Sequence, residues 1–173
     1  MVENKSDSGS ERHTPGASQQ VLKETLLKLA GLCARSEQAP SDIVRKLRLK
    51  GMADSDIALI ISELEKRKFL DSSRFARSFA NDKVKFSGWG RVKIKAALMQ
   101  KKIPACDIAA ALDELDSETY GSVLLNAARA RARKFDVNVY SERIKIIRYL
   151  LSRGFTSEES MRAVEIIKRE DGE

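Results

Sequence analysis

The chain has 173 residues, of which 33% are charged and 42% hydrophobic, and its net charge is +7 at neutral pH. This length allows one domain or a few small modules with a hydrophobic core. No apolar run approaches the roughly 20 residues that a membrane span needs, and no apolar stretch follows a basic start, so neither a membrane protein nor a secreted one is predicted. The single cysteines Cys33 and Cys106 predict reduced, mostly buried thiols in a cytoplasmic protein.

Residues 1–18 are polar and rich in Ser, Gly and Glu, and this composition predicts a disordered N-terminal tail. The only histidine, His13, lies in this tail. A histidine base or histidine metal ligand is therefore not expected, and no nucleophile has a suitable base near it in the sequence. We expect no catalysis, no metal and no cofactor.

The rest of the chain is helical by pattern, and three of its segments form an internal repeat. The segments span 43–64, 92–115 and 144–167. Leu47, Leu98 and Leu150 correspond, and the offsets of 51 and 52 residues hold through the whole unit. Each segment predicts a short helix, a tight turn and a second helix.

The turn in each segment needs a left-handed residue at the end of the first helix. Gly51 and Gly154 stand at this position, and glycine adopts that conformation at least cost. Lys102 occupies it in the middle segment, at a cost of about 1 kcal/mol if the left-handed conformation is still required. Thr156 and Glu159 have the spacing of a capping box at the start of the helix that follows.

Another helix precedes each pair, so the sequence predicts an all-α fold of three tandem three-helix modules with helix-turn-helix-like repeats. The predicted modules span 19–70, 71–115 and 116–170. Each is too small to bury much apolar surface alone, so we expect neighbouring modules to share a core and to form an elongated, curved, solenoid-like body.

Basic side chains concentrate in two blocks. Residues 72–103 hold nine Lys and Arg against one acid, and residues 121–155 hold eight against two. Residues 104–120, between them, hold five acids and no base. A polyanion or an acidic protein groove is the natural partner of such blocks, and a solvated helical surface with no partner is the alternative.

The stretch FSGWGRVKIK, residues 86–95, brackets the only tryptophan, Trp89, with Gly88 and Gly90. It lacks the preceding strand and the spacing of a phosphate-binding loop, so we expect the glycines to form a tight joint between two helices. Trp89 then either lies at an exposed tip, where it stacks on a base or a partner protein, or folds back over Phe86 as local core.

The helix after this joint carries two apolar sides, and we expect both to be buried. One side consists of Ile94, Ala97 and Leu98, and the other of Val92, Ala96 and Met99. The run ARARARK, residues 128–134, favours helix and aligns Arg129 with Arg133. This run predicts either a solvated helix face or a second basic contact.

The middle of the chain resembles the RecX family of recombination regulators. FLDSSRFARSFANDKVK at 69–85 and GWGRVKIKAALMQKKI at 88–103 carry the resemblance, which extends over about 36–170. The matching positions are Phe69, Leu70, Asp71, Arg74, Phe75, Ala76, Gly88, Gly90, Lys93, Ile94, Leu98, Lys101 and Ile103. Two positions depart from the family pattern: Ala97 replaces the usual glutamate, and Lys102 replaces the turn glycine.

The resemblance implies a protein that binds the RecA nucleoprotein filament on single-stranded DNA, lodges in its helical groove, and blocks ATP hydrolysis, strand exchange and filament growth. Our hypothesis is a non-catalytic, monomeric, cytoplasmic regulator of recombination and DNA repair. The expected contacts to the filament or DNA are Lys83, Lys85, Trp89, Arg91, Lys93, Lys95, Lys101, Lys102, Arg129, Arg133 and Arg148.

Two other functions are compatible with the pattern. A helix-turn-helix protein that binds DNA directly would use the second helix of each repeat, but these helices begin ADSD, PACD and TSEE, whose acids DNA repels. A passive helical adaptor would bind its partner without dependence on salt.

Overall fold

The structure, a computed structural model, describes residues 17–170, and within this range the chain forms nine α-helices and no strand. In chain order the helices are α1 Gln19–Arg35, α2 Pro40–Leu49, α3 Asp54–Lys66, α4 Ser72–Ser87, α5 Arg91–Gln100, α6 Ala105–Asp113, α7 Ser117–Ala132, α8 Tyr140–Ser152 and α9 Ser157–Glu170. The all-α fold of three tandem three-helix modules is confirmed, with α1–α3, α4–α6 and α7–α9 as the first, second and third modules. No helix in this range is both long and apolar enough to cross a lipid bilayer.

The predicted module boundaries at 70/71 and 115/116 fall in the connections α3–α4 and α6–α7. Residues 1–16 of the predicted tail, His13 among them, lie outside the described residues. The last two residues of the predicted tail, Ala17 and Ser18, contact the first module. The Ser18 hydroxyl accepts from the N–H of Val21 at 3.4 Å, and the N–H of Ala17 donates to Asp56 at 2.6 Å.

Besides Ser18 at the start of α1, side-chain caps fix where three further helices begin. Asp71 accepts from the N–H of Arg74 at 3.0 Å and starts α4, and Asp116 accepts from the N–H of Thr119 at 2.7 Å and starts α7. The hydrogen bond from Arg74 is the main reason why the pKa of Asp71 is lowered. The predicted capping box before α9 is confirmed, since Thr156 and Glu159 bond each other's backbone N–H groups at 2.8 and 3.1 Å.

The turn inside each module has the same backbone geometry three times. Its left-handed residue has a φ of 78° at Gly51, 57° at Lys102 and 92° at Gly154. The next N–H donates to the carbonyl of a buried leucine at 3.2 Å in all three turns, from Met52 to Leu47, from Ile103 to Leu98 and from Phe155 to Leu150. The internal repeat is therefore confirmed at the level of single hydrogen bonds.

Lys102→Gly is expected to raise the free energy of unfolding by about 1 kcal/mol, because glycine adopts the left-handed conformation without the Cβ clash. Urea denaturation of the full chain measures the change. Lys50→Gly is the matched control: Lys50 ends α2 with a φ of −85°, so glycine relieves nothing there and should destabilise the chain. A Lys102→Gly variant no more stable than the parent would contradict the expectation.

The buried residues form two apolar clusters. One lies in the first module and includes Leu29, Leu47 and Leu64. The other runs through α4–α9, from Phe75 to Ile167, and takes in Ala39 from the connection before α2. The expectation of a shared core therefore holds for the second and third modules. The first module fills its own core, because the long helix α1 brings its leucines over α3.

Two burial expectations are wrong. The second apolar side of α5 faces solvent, with Val92 and Met99 exposed by 55% and 60%. The reason is that α5 packs within its module through the side that carries Ile94 and Leu98, and no described helix covers the opposite side. Cys106 is also exposed, whereas Cys33 is buried, and this burial is the main cause of the raised pKa of the Cys33 thiol.

Candidate functional site

The glycines around Trp89 form a joint, as expected, but the joint connects two modules as well as two helices. Gly88 ends α4 in the left-handed region with a φ of 58°. Gly90 lies against the turn of the third module, and a Cβ added to it would stand 2.2 Å from the carbonyl carbon of Gly154. The second glycine is therefore required by close approach rather than by its own conformation.

Backbone hydrogen bonds fasten this joint. The N–H of Gly90 donates to the carbonyl of Arg153 at 2.9 Å, and the N–H of Val92 donates to the carbonyl of Gly154 at 3.0 Å. The guanidinium of Arg153 returns across the joint to the carbonyls of Gly88, at 3.2 Å, and Ser87. The second and third modules are thus held by main-chain contacts as well as by their common core.

Arg91, an expected contact residue, is engaged inside this interface. Its backbone N–H donates to the Tyr120 hydroxyl at 3.1 Å, and its guanidinium lies 3.3 Å from Glu159 and 4.0 Å from the centre of the Tyr120 ring. The Tyr120 hydroxyl also donates to Glu159 at 3.3 Å. Burial is the main cause of the raised pKa of Tyr120. Arg91 therefore links the modules and is not available as a free cation.

Lys101 has the same kind of role at the other end of the second module. Its ammonium lies 2.6 Å from Asp42 of the first module, and its carbonyl accepts from the Ser41 hydroxyl at 2.6 Å. Arg74 and Glu37 form a further ion pair across the same interface at 2.5 Å. The contacts between the first and second modules thus include two ion pairs.

Trp89 is half-buried and packs against the core of the second and third modules. The ammonium groups of Lys83 and Lys93 lie 5.0 and 4.7 Å from the centre of its ring system. Phe86 points away and is 83% exposed. Of the two sequence-based alternatives, the core position is closer to the structure, but Phe86 has no part in it. We call Lys83, Trp89 and Lys93 the lysine–tryptophan cluster.

The remaining expected contacts do not converge on this cluster. Lys95 leaves α5 on the flank opposite Lys93 and lines a groove of about 490 Å³ between α5 and α6, beside Met99 and Leu112. Lys102 lines a groove of about 650 Å³ between the first and second modules, together with Arg45 and Arg48. The structure therefore distributes these cations along the molecule.

Of the four expected contact residues not yet described, one forms an ion pair with another residue of the range 17–170 and three do not. Arg129 forms a two-pronged ion pair with Glu170 at 2.7 and 3.1 Å, which raises the pKa of Arg129 and lowers that of Glu170. No ion pair of the described residues includes the exposed side chains of Lys85, Arg133 and Arg148.

One group of residues escaped the sequence analysis. At the junction of α7 and α8, the guanidinium of Arg131 lies 4.8 Å from the centre of the Phe135 ring and 5.1 Å from that of Tyr149. The sequence does carry a signal for it: Arg131 continues, at helical spacing, the buried stripe of Tyr120, Leu124 and Ala128. Arg131 is thus a charged residue at a position where the helical spacing predicts a buried apolar side chain.

Within residues 17–170, no group of three or more His, Cys, Asp or Glu side chains is arranged to hold a metal ion. What the described surface offers is cationic side chains on a rigid helical frame. Such a surface can bind polyanions or acidic proteins by charge.

Comparison with known proteins identifies relatives of this chain. The family model for the second three-helix domain of RecX matches residues 71–112. The regulatory protein RecX of Acinetobacter baylyi is 26% identical over 163 residues, which cover 92% of this chain and 98% of that protein. The regulatory protein RecX of Clostridium botulinum strain Eklund 17B is 32% identical over 124 residues, which cover 70% of this chain and only 58% of that protein.

Two solved structures share the fold. A crystal structure of RecX from Lactobacillus salivarius has a TM-score of 0.75 at 18% identity, covering 86% of this chain and 97% of that one. A second crystal structure of regulatory protein RecX has a TM-score of 0.73 at 20% identity, covering 83% of this chain and 71% of that one.

Proposed function

The chain belongs to the RecX family, and on that premise we propose that it is a non-catalytic regulator of homologous recombination. It binds the RecA filament on single-stranded DNA and inhibits the ATPase, strand exchange and growth of that filament. It acts as a monomer in the cytoplasm. The name regulatory protein, which the relatives carry, supports the general role, and the inhibitory mechanism is our inference.

The construction of the frame supports binding to a polymer. Three modules in a row present contacts over a length that a globule of the same mass lacks. The second and third modules are locked together at Gly90 and Gly154, so cations on both keep fixed mutual positions. We propose that the protein bridges adjacent protomers of the filament and changes the interface between them.

The lysine–tryptophan cluster is the observation that carries the proposal. Two ammonium groups flank one partly exposed indole, and no ion pair of the described residues includes either lysine. Trp is enriched at the energetic centres of protein interfaces, and positive charge favours an acidic groove or DNA phosphates. Arg91, Lys101 and Arg129 are left out of the proposed contact set because carboxylates within the protein engage them.

The charge at the helix starts favours this proposal over direct reading of DNA grooves. The second helix of each repeat carries acids in its first turn, among them Asp54, Asp107 and Glu159. A recognition helix would present its N-terminal residues to base edges between two phosphate chains. Carboxylates at that position would be repelled, so the repeats serve here as structural units.

The proposal predicts that the protein inhibits ATP hydrolysis by RecA on single-stranded DNA in a concentration-dependent manner. Steady-state ATP turnover, measured over a titration of the protein, tests it. The single tryptophan gives a second readout, because its fluorescence should change on binding to the filament. Absence of inhibition at any ratio, together with an unchanged tryptophan spectrum, would contradict the proposal.

The double substitution Lys83→Glu/Lys93→Glu should weaken the inhibition roughly tenfold or more, because it replaces two attractive charges with repulsive ones at the proposed contact. Lys23→Glu/Lys28→Glu makes the same charge change on two exposed positions of α1 and serves as control. Circular dichroism checks that both variants keep their helicity. Equal inhibition by the two variants would remove the cluster from the contact.

A further inference from the structure

The corner between α7 and α8 holds an arginine without a visible partner for its charge. Arg131 is half-buried, with its guanidinium about 5 Å from the centres of the Phe135 and Tyr149 rings. Its Nε is buried and lacks a hydrogen-bond partner, and no carboxylate of the described residues forms an ion pair with it. Buried charged donors are normally paired, so this side chain requires an explanation.

A second cation converges on the same ring. The ammonium of Lys145, on α8, lies 5.1 Å from the centre of the Phe135 ring, and its side chain is exposed. Two positive groups around one phenyl ring repel each other, and an anion close to both would offset that repulsion. The aromatic rings hold the guanidinium in place, which lowers the entropy that it would lose on binding an anion.

The carboxylates of this corner are engaged elsewhere. Asp136 accepts from the backbone N–H of Asn138 at 2.8 Å, and Glu142 accepts from the backbone N–H of Asp136 at 2.6 Å. Both acids thus shape the connection between α7 and α8. Further exposed cations flank the corner along the chain; they are Arg133, Lys134 and Arg148.

We propose that this corner binds the phosphodiester backbone of a nucleic acid, with Arg131 and Lys145 contacting its phosphate oxygens. A guanidinium fixed against aromatic rings suits phosphate geometry, and flanking cations suit an anion that repeats along a polymer. A single protein carboxylate would leave most of these cations unused. The site does not depend on the regulatory role proposed above, since the protein would bind nucleic acid by itself.

Fluorescence anisotropy of the full chain with a labelled oligothymidylate, and with a duplex of equal length, tests the site in the absence of any recombinase. Lys145→Gln and Arg131→Met should each weaken binding about 3- to 10-fold and reduce the salt slope of log K by about 0.7 on the single strand. Arg131→Met keeps an apolar stem against the rings. Arg162→Gln is the control, because Arg162 is 72% exposed and paired with Glu158 on α9.

Weaker binding by both variants, on the single strand, the duplex or both, supports the site and identifies the form of nucleic acid. Unchanged affinity and salt slope for Lys145→Gln would overturn the proposal even if Arg131→Met fails to fold, since Lys145 is exposed. Polyglutamate that competes as well as the oligonucleotide would overturn it too, because the corner would then take acidic protein surfaces. None of these outcomes bears on inhibition of ATP turnover, so the two proposals fail separately.

Discussion

Gly90→Ala is expected to lower the free energy of unfolding by about 3–5 kcal/mol, because the new methyl group overlaps another module's backbone. The Cβ would lie 2.2 Å from the carbonyl carbon of Gly154 and 2.3 Å from the nitrogen of Phe155. The second or the third module must therefore move away from the other. The hydrogen bonds from the Gly90 N–H to the Arg153 carbonyl, at 2.9 Å, and from the Val92 N–H to the Gly154 carbonyl, at 3.0 Å, are then lost. Urea denaturation measures the change.

Gly121→Ala supplies the control for this substitution. Gly121 lies inside α7, and a Cβ there would meet nothing within 4 Å. Alanine should therefore stabilise the helix by roughly 0.5–1 kcal/mol, since glycine loses more conformational entropy on folding. If Gly90→Ala changed stability no more than this control does, the close approach of the two modules would not contribute to the fold as described.

Leu64→Ala is expected to lower the stability of the first module by about 2–5 kcal/mol and to leave the other two nearly unaffected. Leu64 is fully buried in the cluster of α1–α3, which is separate from the cluster of α4–α9. Hydrogen exchange followed by mass spectrometry should show faster exchange in residues 19–66 alone. The wild-type chain should unfold in two steps for the same reason.

Ile146→Ala makes the reciprocal test in the larger cluster. Ile146 is also fully buried, but its cluster continues through the second and third modules. Exchange should therefore rise across α4–α9 together, while α1–α3 keep their protection. If either substitution accelerated exchange uniformly over the whole chain, the division into two cores would be wrong.

Most of the fold was predictable because its signals are local. In each of the three turns, an apolar residue follows a leucine by five positions. The residue immediately before this apolar residue must adopt the left-handed conformation. The structure has this hydrogen bond at Leu47, Leu98 and Leu150. Lys102 shows how strong the pattern is, since it takes a φ of 57° without the help of glycine.

The details of the candidate site were not predictable, because they depend on residues far apart in the chain. Gly90 and Gly154 are in contact although they lie 64 positions apart in the chain. Each glycine stands at the end of a helix, where glycine is common, so the sequence gives no sign of this contact. The sequence predicts Arg91 and Lys101 as contacts to the filament or DNA, yet Glu159 and Asp42 form ion pairs with them. Composition gives the sum of charges, whereas pairing depends on how the modules are docked.

The exposed side of α5 illustrates a further limit. Val92 and Met99 have the spacing of a buried face, and a periodic pattern shows that a side is apolar without showing whether anything covers it. Arg131 is the opposite case, a charged residue in a stripe whose other members are buried. In both places local pattern and tertiary environment disagree.

Unequal connections between the modules have a mechanical consequence. The second and third modules behave as one stiff arm, fastened by main-chain bonds that added electrolyte hardly weakens. The first module is tied to this arm partly through ion pairs at Asp42 and Glu37, whose groups remain partly accessible to solvent. Screening acts on such pairs, so ionic strength should change the angle between the first module and this arm, which meet in the chain at the connection α3–α4, and leave the arm itself unchanged.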